Sequence, residues 1–268
     1  DLFSLKMKST PIYFAHANGI PAKCFEPFLR QFSPASYAYI NCLGHGEYRV
    51  SKKDSWAPLV DEVLADIESR YQQPILGLGH SLGGYTLLEA AERRPDLFTQ
   101  VIVMEPPMFP KKMRSMMHIL RILGLSDALV PVVKKAKNRT EKFESREFAR
   151  EYFSSRSFFD EFHKESFELY LEEGLTDMKE GVGLTFSKQV VYDVFLYFPR
   201  VFLTRKNPVN SHFYYSTGSN LVPNFNFSEL KSLLPYTTFI PFEKGTHMFP
   251  LEYPEELSGM IKEIMLPQ

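Results

Sequence analysis

Residues 79–83 read Gly-His-Ser-Leu-Gly, and this pentapeptide constrains the fold more than any other part of the chain. A short apolar run at 74–78 precedes it, and a strongly helical sequence at 84–94 follows it before Pro95. Gly-x-Ser-x-Gly between a strand and a helix is typical of a sharp, strained turn, in which a Cβ atom at either glycine would collide with neighbouring backbone. The pattern therefore predicts that the hydroxyl of Ser81 points out of a sheet at a helix N-terminus, where negative charge is favoured.

Apolar and helical segments alternate on both sides of the serine turn. The chain has 268 residues, of which 44% are hydrophobic, enough for the core of one large domain or of one domain with an insertion. Alternation of this kind predicts an α/β fold with a mostly parallel sheet flanked by helices. Strands are predicted at 10–15, 37–42, 75–78, 100–104, 211–216 and 237–242, and helices at 25–32, 56–70, 84–94 and 254–265. Asp54 or Ser55 is the predicted N-cap of the second helix.

The alternation stops at residues 108–210, which are mostly helical in pattern and rich in Met, Phe and charge. This segment is predicted to be a mainly helical cap, or lid, inserted into a core domain made of residues 1–107 and 211–268. Apolar stripes in the cap favour a largely apolar substrate. For most of those side chains, however, the cap's own core is the expected place.

Charge and composition exclude several functions. The net charge is −1 and no long block of one sign occurs, so nucleic acid is not an expected partner. The basic pairs at 111–112 and 134–135 are expected to be solvated helix surface. No apolar run reaches 18 residues, so no membrane span is expected, and the N-terminal residues lack a signal pattern. Two cysteines, Cys24 and Cys42, are too few for a disulfide scaffold, which favours a cytoplasmic location.

No cofactor is expected from the sequence. His, Cys and carboxylate residues are nowhere clustered at the spacing of metal ligands. The Gly-Leu-Gly at 77–79 lacks the full dinucleotide fingerprint, and the serine turn stands where that loop would be. The oligomeric state is left open.

Four motifs, each following a predicted strand, occur in the order of a known superfamily. They are Phe-Ala-His-Ala-Asn-Gly at 14–19, Gly-His-Gly at 44–46, the pentapeptide at 79–83, and Lys-Gly-Thr-His-Met-Phe-Pro at 244–250. In these motifs the chain resembles the α/β-hydrolase superfamily, with a cap between that family's sixth and seventh strands. The resemblance covers the chain outside the cap and departs from the usual pattern at Ala17, where the family normally has glycine.

The resemblance implies serine hydrolase chemistry. A serine hydroxyl is a weak nucleophile near neutral pH and needs a base beside it. His247 follows the last strand, so it comes after Ser81 in the chain order of the family. It would accept the Ser81 proton during attack and pass it to the leaving group. A role as an ordinary surface-loop histidine is the alternative for His247, and the family gives His16, His45 and His80 scaffold or pocket roles.

Backbone groups are expected to stabilise the negative charge of the tetrahedral intermediate. The resemblance implies that these are the N–H groups of Leu82, just after the nucleophile, and of Asn18 in the early loop. For Asn18 the alternative is that its side chain only holds the shape of its own loop through an Asx-type turn.

The third member of the site is the least determined by the motifs. Asn220 stands after strand 211–216 where the family normally has an aspartate, and an amide could orient the histidine without stabilising imidazolium by charge. Glu105 ends strand 100–104, a position from which some relatives take their acid. We therefore predict Glu105 as the orienting acid, with Asn220 as the alternative third member or as a hydrogen-bond partner behind it. A carboxylate satisfied by nearby loop amides is the competing interpretation of Glu105.

The favoured function is cleavage of a carboxylic ester of a small, largely apolar substrate through an acyl-enzyme on Ser81. Serine at this position argues against haloalkane dehalogenases and epoxide hydrolases, which use aspartate. A carbon–carbon bond hydrolase of ring-fission diketones and a lyase of the menaquinone-pathway type, acting on a related carbonyl substrate, would use the same residues. A non-catalytic binding protein on the same fold is the alternative from a different class.

Overall fold

The computed structural model describes residues 10–203 and 207–265. Within them, six strands form one parallel sheet in the order β2-β1-β3-β4-β8-β9, and three short strands form a separate antiparallel sheet in the order β5-β7-β6. The strands are β1 (Ile12–Ala15), β2 (Tyr37–Tyr39), β3 (Ile75–His80), β4 (Phe98–Met104), β5 (Lys142–Phe143), β6 (Leu175–Asp177), β7 (Val182–Leu184), β8 (Ser211–Ser216) and β9 (Thr237–Phe242).

Helices connect the strands of the parallel sheet and fill most of the segment between β4 and β8. They are α1 (Glu26–Leu29), α2 (Ala57–Arg70), α3 (Leu82–Arg93), α4 (Lys111–Ile122), α5 (Ser126–Leu129), α6 (Pro131–Lys137), α7 (Arg146–Ser154), α8 (Lys164–Glu173), α9 (Lys188–Leu196), α10 (Phe227–Leu233), α11 (Phe249–Glu252) and α12 (Pro254–Met265). Short 3-10 helices occur at Ala22–Phe25, Arg30–Phe32, Pro95–Leu97, Ser157–Phe159 and Val222–Asn224.

The predicted fold class is confirmed. Every strand predicted for the parallel sheet is present, and β8, β9 and α12 have the predicted bounds. Residues 108–210 were expected to be mainly helical, and the structure adds β5, β6 and β7 to the helices there. Strands of two or three residues are too short to produce a recognisable period in the sequence.

The predicted N-cap of α2 is wrong. The helix begins at Ala57 after Trp56, which has no side-chain capping hydrogen bond. The hydroxyl of Ser55 instead donates to the Tyr197 carbonyl, and the Trp56 indole N–H donates to the Val194 carbonyl at 2.8 Å. Contacts with the segment before β8 thus override the local capping preference of these residues.

The parallel sheet buries both of its faces, as parallel sheets with crossover helices do. Alternate residues of β1 illustrate this: Ile12 and Phe14 belong to one buried cluster, and Tyr13 belongs to the cluster on the other face. The first cluster continues into the segment between β4 and β8, where Phe153 and Tyr170 join it. Among the residues that the structure describes, no helix is both long and apolar enough to cross a bilayer.

His16 is buried in the loop after β1 as a neutral ring. Its Nδ1–H donates to the Ala17 carbonyl, and its Nε2 accepts the Leu43 N–H, both at 2.7 Å. Burial, with a smaller contribution from the nearby ring of His45, lowers the pKa of His16 to about 4. A proton on Nε2 would also face the Leu43 N–H, so the fold binds the neutral form.

Acid is therefore expected to destabilise the fold before its carboxylates titrate. Between the unfolded pKa of about 6.5 and the folded pKa of about 4, the unfolded chain binds a proton at residue 16 that the folded chain does not. The contribution of His16 to the free energy of unfolding is fully present above about pH 6.5. About 3 kcal/mol of it is lost as the pH drops toward 4. Urea unfolding measured across this range should show the slope. His16→Gln should reduce the slope without abolishing it, because the buried His80 also has a lowered pKa and contributes to the same acid sensitivity. A slope that is unchanged in His16→Gln would contradict the assignment.

Candidate active site

Ser81 occupies the sharp turn between β3 and α3. Its backbone has φ 52° and ψ −119°, a region that non-glycine residues rarely adopt and that is strained. Its N–H donates to the Met104 carbonyl at 2.9 Å, which fixes the turn against the end of β4. The predicted sequence of strand, serine turn and helix is therefore present, with Ser81 at the N-terminus of the helix.

Two glycines make this turn possible. A Cβ atom on Gly79 would lie 2.8 Å from the carbonyl group of Gly83. One on Gly83 would lie 2.0 Å from the carbonyl oxygen of Ala15, at the end of β1. Real Cβ atoms do not approach backbone this closely, so the predicted collisions are confirmed, and both positions require glycine.

Gly83→Ala is expected to destabilise the protein by more than about 4 kcal/mol, because the obstacle is backbone that cannot move without separating α3 from β1. Gly259→Ala is the matched control: it lies within α12, and a Cβ atom there would meet nothing within 4 Å. That substitution should stabilise the protein by about 0.5–1 kcal/mol. Chemical unfolding of both variants measures the difference. A Gly83→Ala variant as stable as the unaltered protein would contradict the close approach of Gly83 to the Ala15 carbonyl.

His247 lies between Ser81 and Glu105. Its Nε2 is 2.9 Å from the Ser81 hydroxyl oxygen, and its Nδ1 is 2.7 Å from Glu105 Oε2. The histidine side chain is 26% exposed, and that of Glu105 is completely buried. Both ring nitrogens are thus within hydrogen-bond distance of a partner, one of the hydroxyl of the half-buried Ser81 and the other of the fully buried Glu105 carboxylate.

Glu105 follows β4 with a positive φ of 44°, and three groups surround its carboxylate. Oε1 accepts the Ser216 N–H at 2.6 Å, and Oε2 accepts the Ser219 hydroxyl at 2.7 Å in addition to facing His247. The backbone N–H of Glu105 donates to the Tyr214 carbonyl, so its own chain is fixed to β8. These contacts hold the carboxylate in one orientation toward the ring.

Asn220 is not among the residues that the structure brings together. It is exposed, and its backbone carbonyl accepts a hydrogen bond from the Asn224 side chain. The hydrogen-bond partner expected behind Glu105 is instead Ser219, whose N–H donates to the Ser216 carbonyl and so closes the turn after β8. This turn directs residue 219 inward and residue 220 outward. Sequence reasoning missed Ser219, although its place beside the expected position was a signal.

Hydrogen bonds from two directions, which the sequence analysis did not predict, fix the loop that carries His247. The Ser216 hydroxyl lies 2.5 Å from the Gly245 carbonyl oxygen. The buried Glu252 carboxylate accepts both the Thr246 N–H, at 2.7 Å, and the Thr246 hydroxyl. The loop is therefore held from β8 on one side and from α11 on the other.

His80 supports the same loop from below. Its ring is fully buried, and its Nε2–H donates to the His247 carbonyl at 2.8 Å, with the two ring centroids 4.9 Å apart. Burial, reinforced by the neighbouring His247, lowers the pKa of His80 well below its usual value. A neutral His80 therefore packs under His247 and positions its backbone, which agrees with the scaffold role expected of it.

The N–H groups of Leu82 and Asn18 remain available to a ligand: within residues 10–203 and 207–265, neither donates to a protein acceptor. The Gly83 N–H donates to the His16 carbonyl at 3.0 Å and joins the start of α3 to the early loop. The Asn18 side chain donates to the Val191 carbonyl of α9 at 3.1 Å, and is thus tied to a distant helix rather than to a local Asx-type turn. In the described part of the chain, no three His, Cys, Asp or Glu side chains converge as metal ligands do.

The family model described as the alpha/beta hydrolase family matches residues 12–259. Two type I acyl-CoA thioesterases of Penicillium brevicompactum are each 28% identical over 107 residues, which is 34% of this chain and 25% of the relative. The match thus spans about a quarter of the length of these curated relatives.

Solved structures match over almost the whole chain. The crystal structure of E-2-(acetamidomethylene)succinate hydrolase superposes with a TM-score of 0.76 at 17% identity, covering 96% of this chain and 91% of that one. The thioesterase domain from the curacin biosynthetic pathway gives a TM-score of 0.73 at 15% identity, covering 94% and 91%. At these identities the likeness establishes the fold alone.

Proposed function

The chain belongs to the alpha/beta hydrolase family, and from this premise we propose that it cleaves a carboxylic ester of a small, largely apolar substrate through an acyl-enzyme on Ser81. The family and the structural neighbours support hydrolytic activity. The ester bond, the serine nucleophile and the roles of individual residues are the proposal. One observation carries it: the His247 ring lies within hydrogen-bond distance of both the Ser81 hydroxyl and the Glu105 carboxylate.

In the first half of the reaction, His247 Nε2 accepts the Ser81 proton while the Ser81 oxygen attacks the ester carbonyl carbon. The imidazolium that forms is stabilised by the Glu105 carboxylate at Nδ1. Charge on the former carbonyl oxygen is stabilised by the N–H groups of Leu82 and Asn18. The intermediate collapses when His247 returns the proton to the departing alcohol, leaving the acyl group on Ser81.

In the second half, a water molecule takes the place of the alcohol. His247 Nε2 accepts its proton as its oxygen attacks the acyl carbonyl, and the same two N–H groups stabilise the charge. The proton then returns to Ser81 and the carboxylic acid leaves. The buried position of Glu105 and its hydrogen bonds from Ser216 and Ser219 support this cycle, since the carboxylate need not reorient between steps.

We also propose that residues 108–210 act as the cap over Ser81. Its helix α9 supports this, because three of its contacts reach loops at the carboxyl edge of the sheet and the start of α2. Val191 accepts from Asn18, Val194 accepts from Trp56, and the N–H of Ser187, just before α9, donates to His45 Nε2.

A cytoplasmic location remains a prediction that rests on Cys24 and Cys42, both free thiols in the structure.

Hydrolysis of a thioester is the second candidate for the same site. It is favoured by the similarity to type I acyl-CoA thioesterases and by the fold shared with a thioesterase domain. The two reactions pass through the same acyl-enzyme and differ in the leaving group. A thiolate departs more readily than an alkoxide. Identical acyl groups on oxygen and on sulfur therefore distinguish them.

The test uses p-nitrophenyl esters of increasing acyl length beside thioesters of the same acyl groups. We expect a rapid release of about one p-nitrophenol per protein followed by slower turnover, and mass spectrometry of the quenched protein should find the acyl group on Ser81. A higher kcat/KM for the thioester series would favour the second candidate.

Fluorophosphonate labelling separates the remaining alternatives, because only an activated serine reacts readily. Labelling of Ser81 without turnover of any ester or thioester would contradict both candidates and favour a carbon–carbon bond hydrolase or a lyase. A protein that is neither labelled nor acylated would be a binding protein on a hydrolase fold, and the proposal would fail.

A further inference from the structure

The segment from α4 to α6 exposes a concentration of apolar side chains. Over 17 residues, seven large apolar side chains are between 41% and 67% exposed, more than half of those exposed in the described chain. On α4 they recur at helical spacing, so they share one stripe that faces away from the protein. We call this surface the cap apolar face; its residues are Met116, Ile119, Ile122, Leu123, Leu125, Leu129 and Val132.

Basic residues surround the cap apolar face. Residues 111–137 contain seven Lys or Arg and a single acidic residue, in a chain whose net charge is −1. Two of the basic residues are neutralised, since Arg114 is paired with Glu229 and Lys137 with Asp127. The others form no ion pair with a carboxylate of the described residues; they are Lys111, Lys112, Arg121, Lys134 and Lys135. Lys111 and Lys112 line a shallow groove together with Met116 and Ile119.

We propose that the cap apolar face docks onto the surface of an anionic lipid bilayer. An amphipathic helix with exposed apolar side chains and basic neighbours lies in the interface of such a bilayer, with the apolar side chains among the acyl chains and the cations at the headgroups. A second copy of this chain is the less favoured occupant, because a two-fold interface would bring the same basic residues against one another. This inference does not depend on the proposed function, and it requires no membrane span.

Vesicle co-sedimentation of the full chain tests the proposal. The protein should sediment with phosphatidylcholine vesicles that contain about one-third phosphatidylglycerol, with an affinity at least about tenfold higher than for phosphatidylcholine alone. Raising the salt concentration should weaken the binding by about tenfold or more, because the basic residues are exposed and screened.

Two variants test the two parts of the surface separately. Ile119→Gln combined with Ile122→Gln removes apolar area. Lys111→Gln and Lys112→Gln, combined with Lys134→Gln and Lys135→Gln, remove charge. All six side chains are exposed, and each variant should lose about tenfold or more in affinity while keeping its melting temperature. The matched controls, Tyr236→Gln for apolar area and Lys52→Gln with Lys53→Gln for charge, also change exposed side chains and should bind as the unaltered protein does.

Absence of sedimentation with the anionic vesicles at low salt would overturn the proposal, and so would unchanged binding in both variants. Light scattering after size exclusion gives a further test. A dimer that dissociates in the isoleucine variant would identify the cap apolar face as a contact between copies and would also overturn the proposal. If the isoleucine variant fails to fold, the lysine variant decides.

Discussion

A Ser81→Ala variant is expected to lose ester turnover by about 10⁵-fold or more in kcat/KM. Alanine removes the atom that attacks the carbonyl, and within the described residues no second hydroxyl lies within hydrogen-bond distance of His247 Nε2. The residual rate should be the rate supported by substrate binding and by the backbone N–H groups of Leu82 and Asn18 alone. Because Ser81 is half-buried and the alanine methyl fits wherever its hydroxymethyl does, the melting temperature should change little. Steady-state kinetics of the purified variant on the ester with the highest kcat/KM measures the effect.

Ser258→Ala is the control for this substitution, since Ser258 is a buried serine of α12 whose hydroxyl donates to a backbone carbonyl. It makes the same chemical change away from the site and should leave kcat/KM intact. His247→Ala complements the pair: fluorophosphonate labelling should disappear although Ser81 is still present. A Ser81→Ala variant that retains more than about one hundredth of the activity would show that the reaction bypasses this hydroxyl.

Glu105→Gln is expected to lower kcat by about 10³- to 10⁴-fold, which corresponds to roughly 4 to 5.5 kcal/mol in the barrier. The amide has nearly the same shape, but it cannot stabilise imidazolium by charge, and its NH₂ group would face one of its present donors. Binding of the ground-state ester does not use the carboxylate, so the dissociation constant of the ester before acylation should stay within about threefold. Stopped-flow measurement of the acylation step gives the loss directly.

Asn220→Ala is the companion to Glu105→Gln, because Asn220 was the other candidate for the third position. Its exposed side chain should be dispensable, with kcat unchanged within about twofold. Ser219→Ala removes one of the hydrogen bonds to the carboxylate and should fall between the two, at about a tenfold loss. Near-normal turnover in Glu105→Gln, together with a large loss in Asn220→Ala, would reverse the assignment of the acid.

The elements of the parallel sheet could be predicted because their signals are local. Apolar runs punctuated by glycine and proline marked β1, β3 and β9, and the pentapeptide around Ser81 marked its own turn. His247 could be identified from its motif after the last strand. Glu105 was suggested by the resemblance, because it ends a strand at a position from which some relatives take their acid.

The remaining features could not be predicted, because they arise from contacts between distant parts of the chain. Ser219 is 114 residues from Glu105, which it supports, and no local pattern relates them. Ser55 does not cap α2, because its hydroxyl donates a hydrogen bond to the carbonyl of Tyr197, 142 residues away. The exposed side chains of α4 looked like part of a cap core, since periodicity identifies an apolar face without saying what covers it.

The placement of His247 after β9 has a consequence for protein synthesis. Ser81 and His247 are 166 residues apart, and the loop that carries the histidine follows the strand at the edge of the sheet. A nascent chain on the ribosome can complete the serine turn early. Under the proposed function, however, its hydroxyl acquires His247 as a base only after β9 has been translated and has paired with β8. We therefore expect partial translation products to be chemically inert, so that reactivity at Ser81 reports the last stage of assembly.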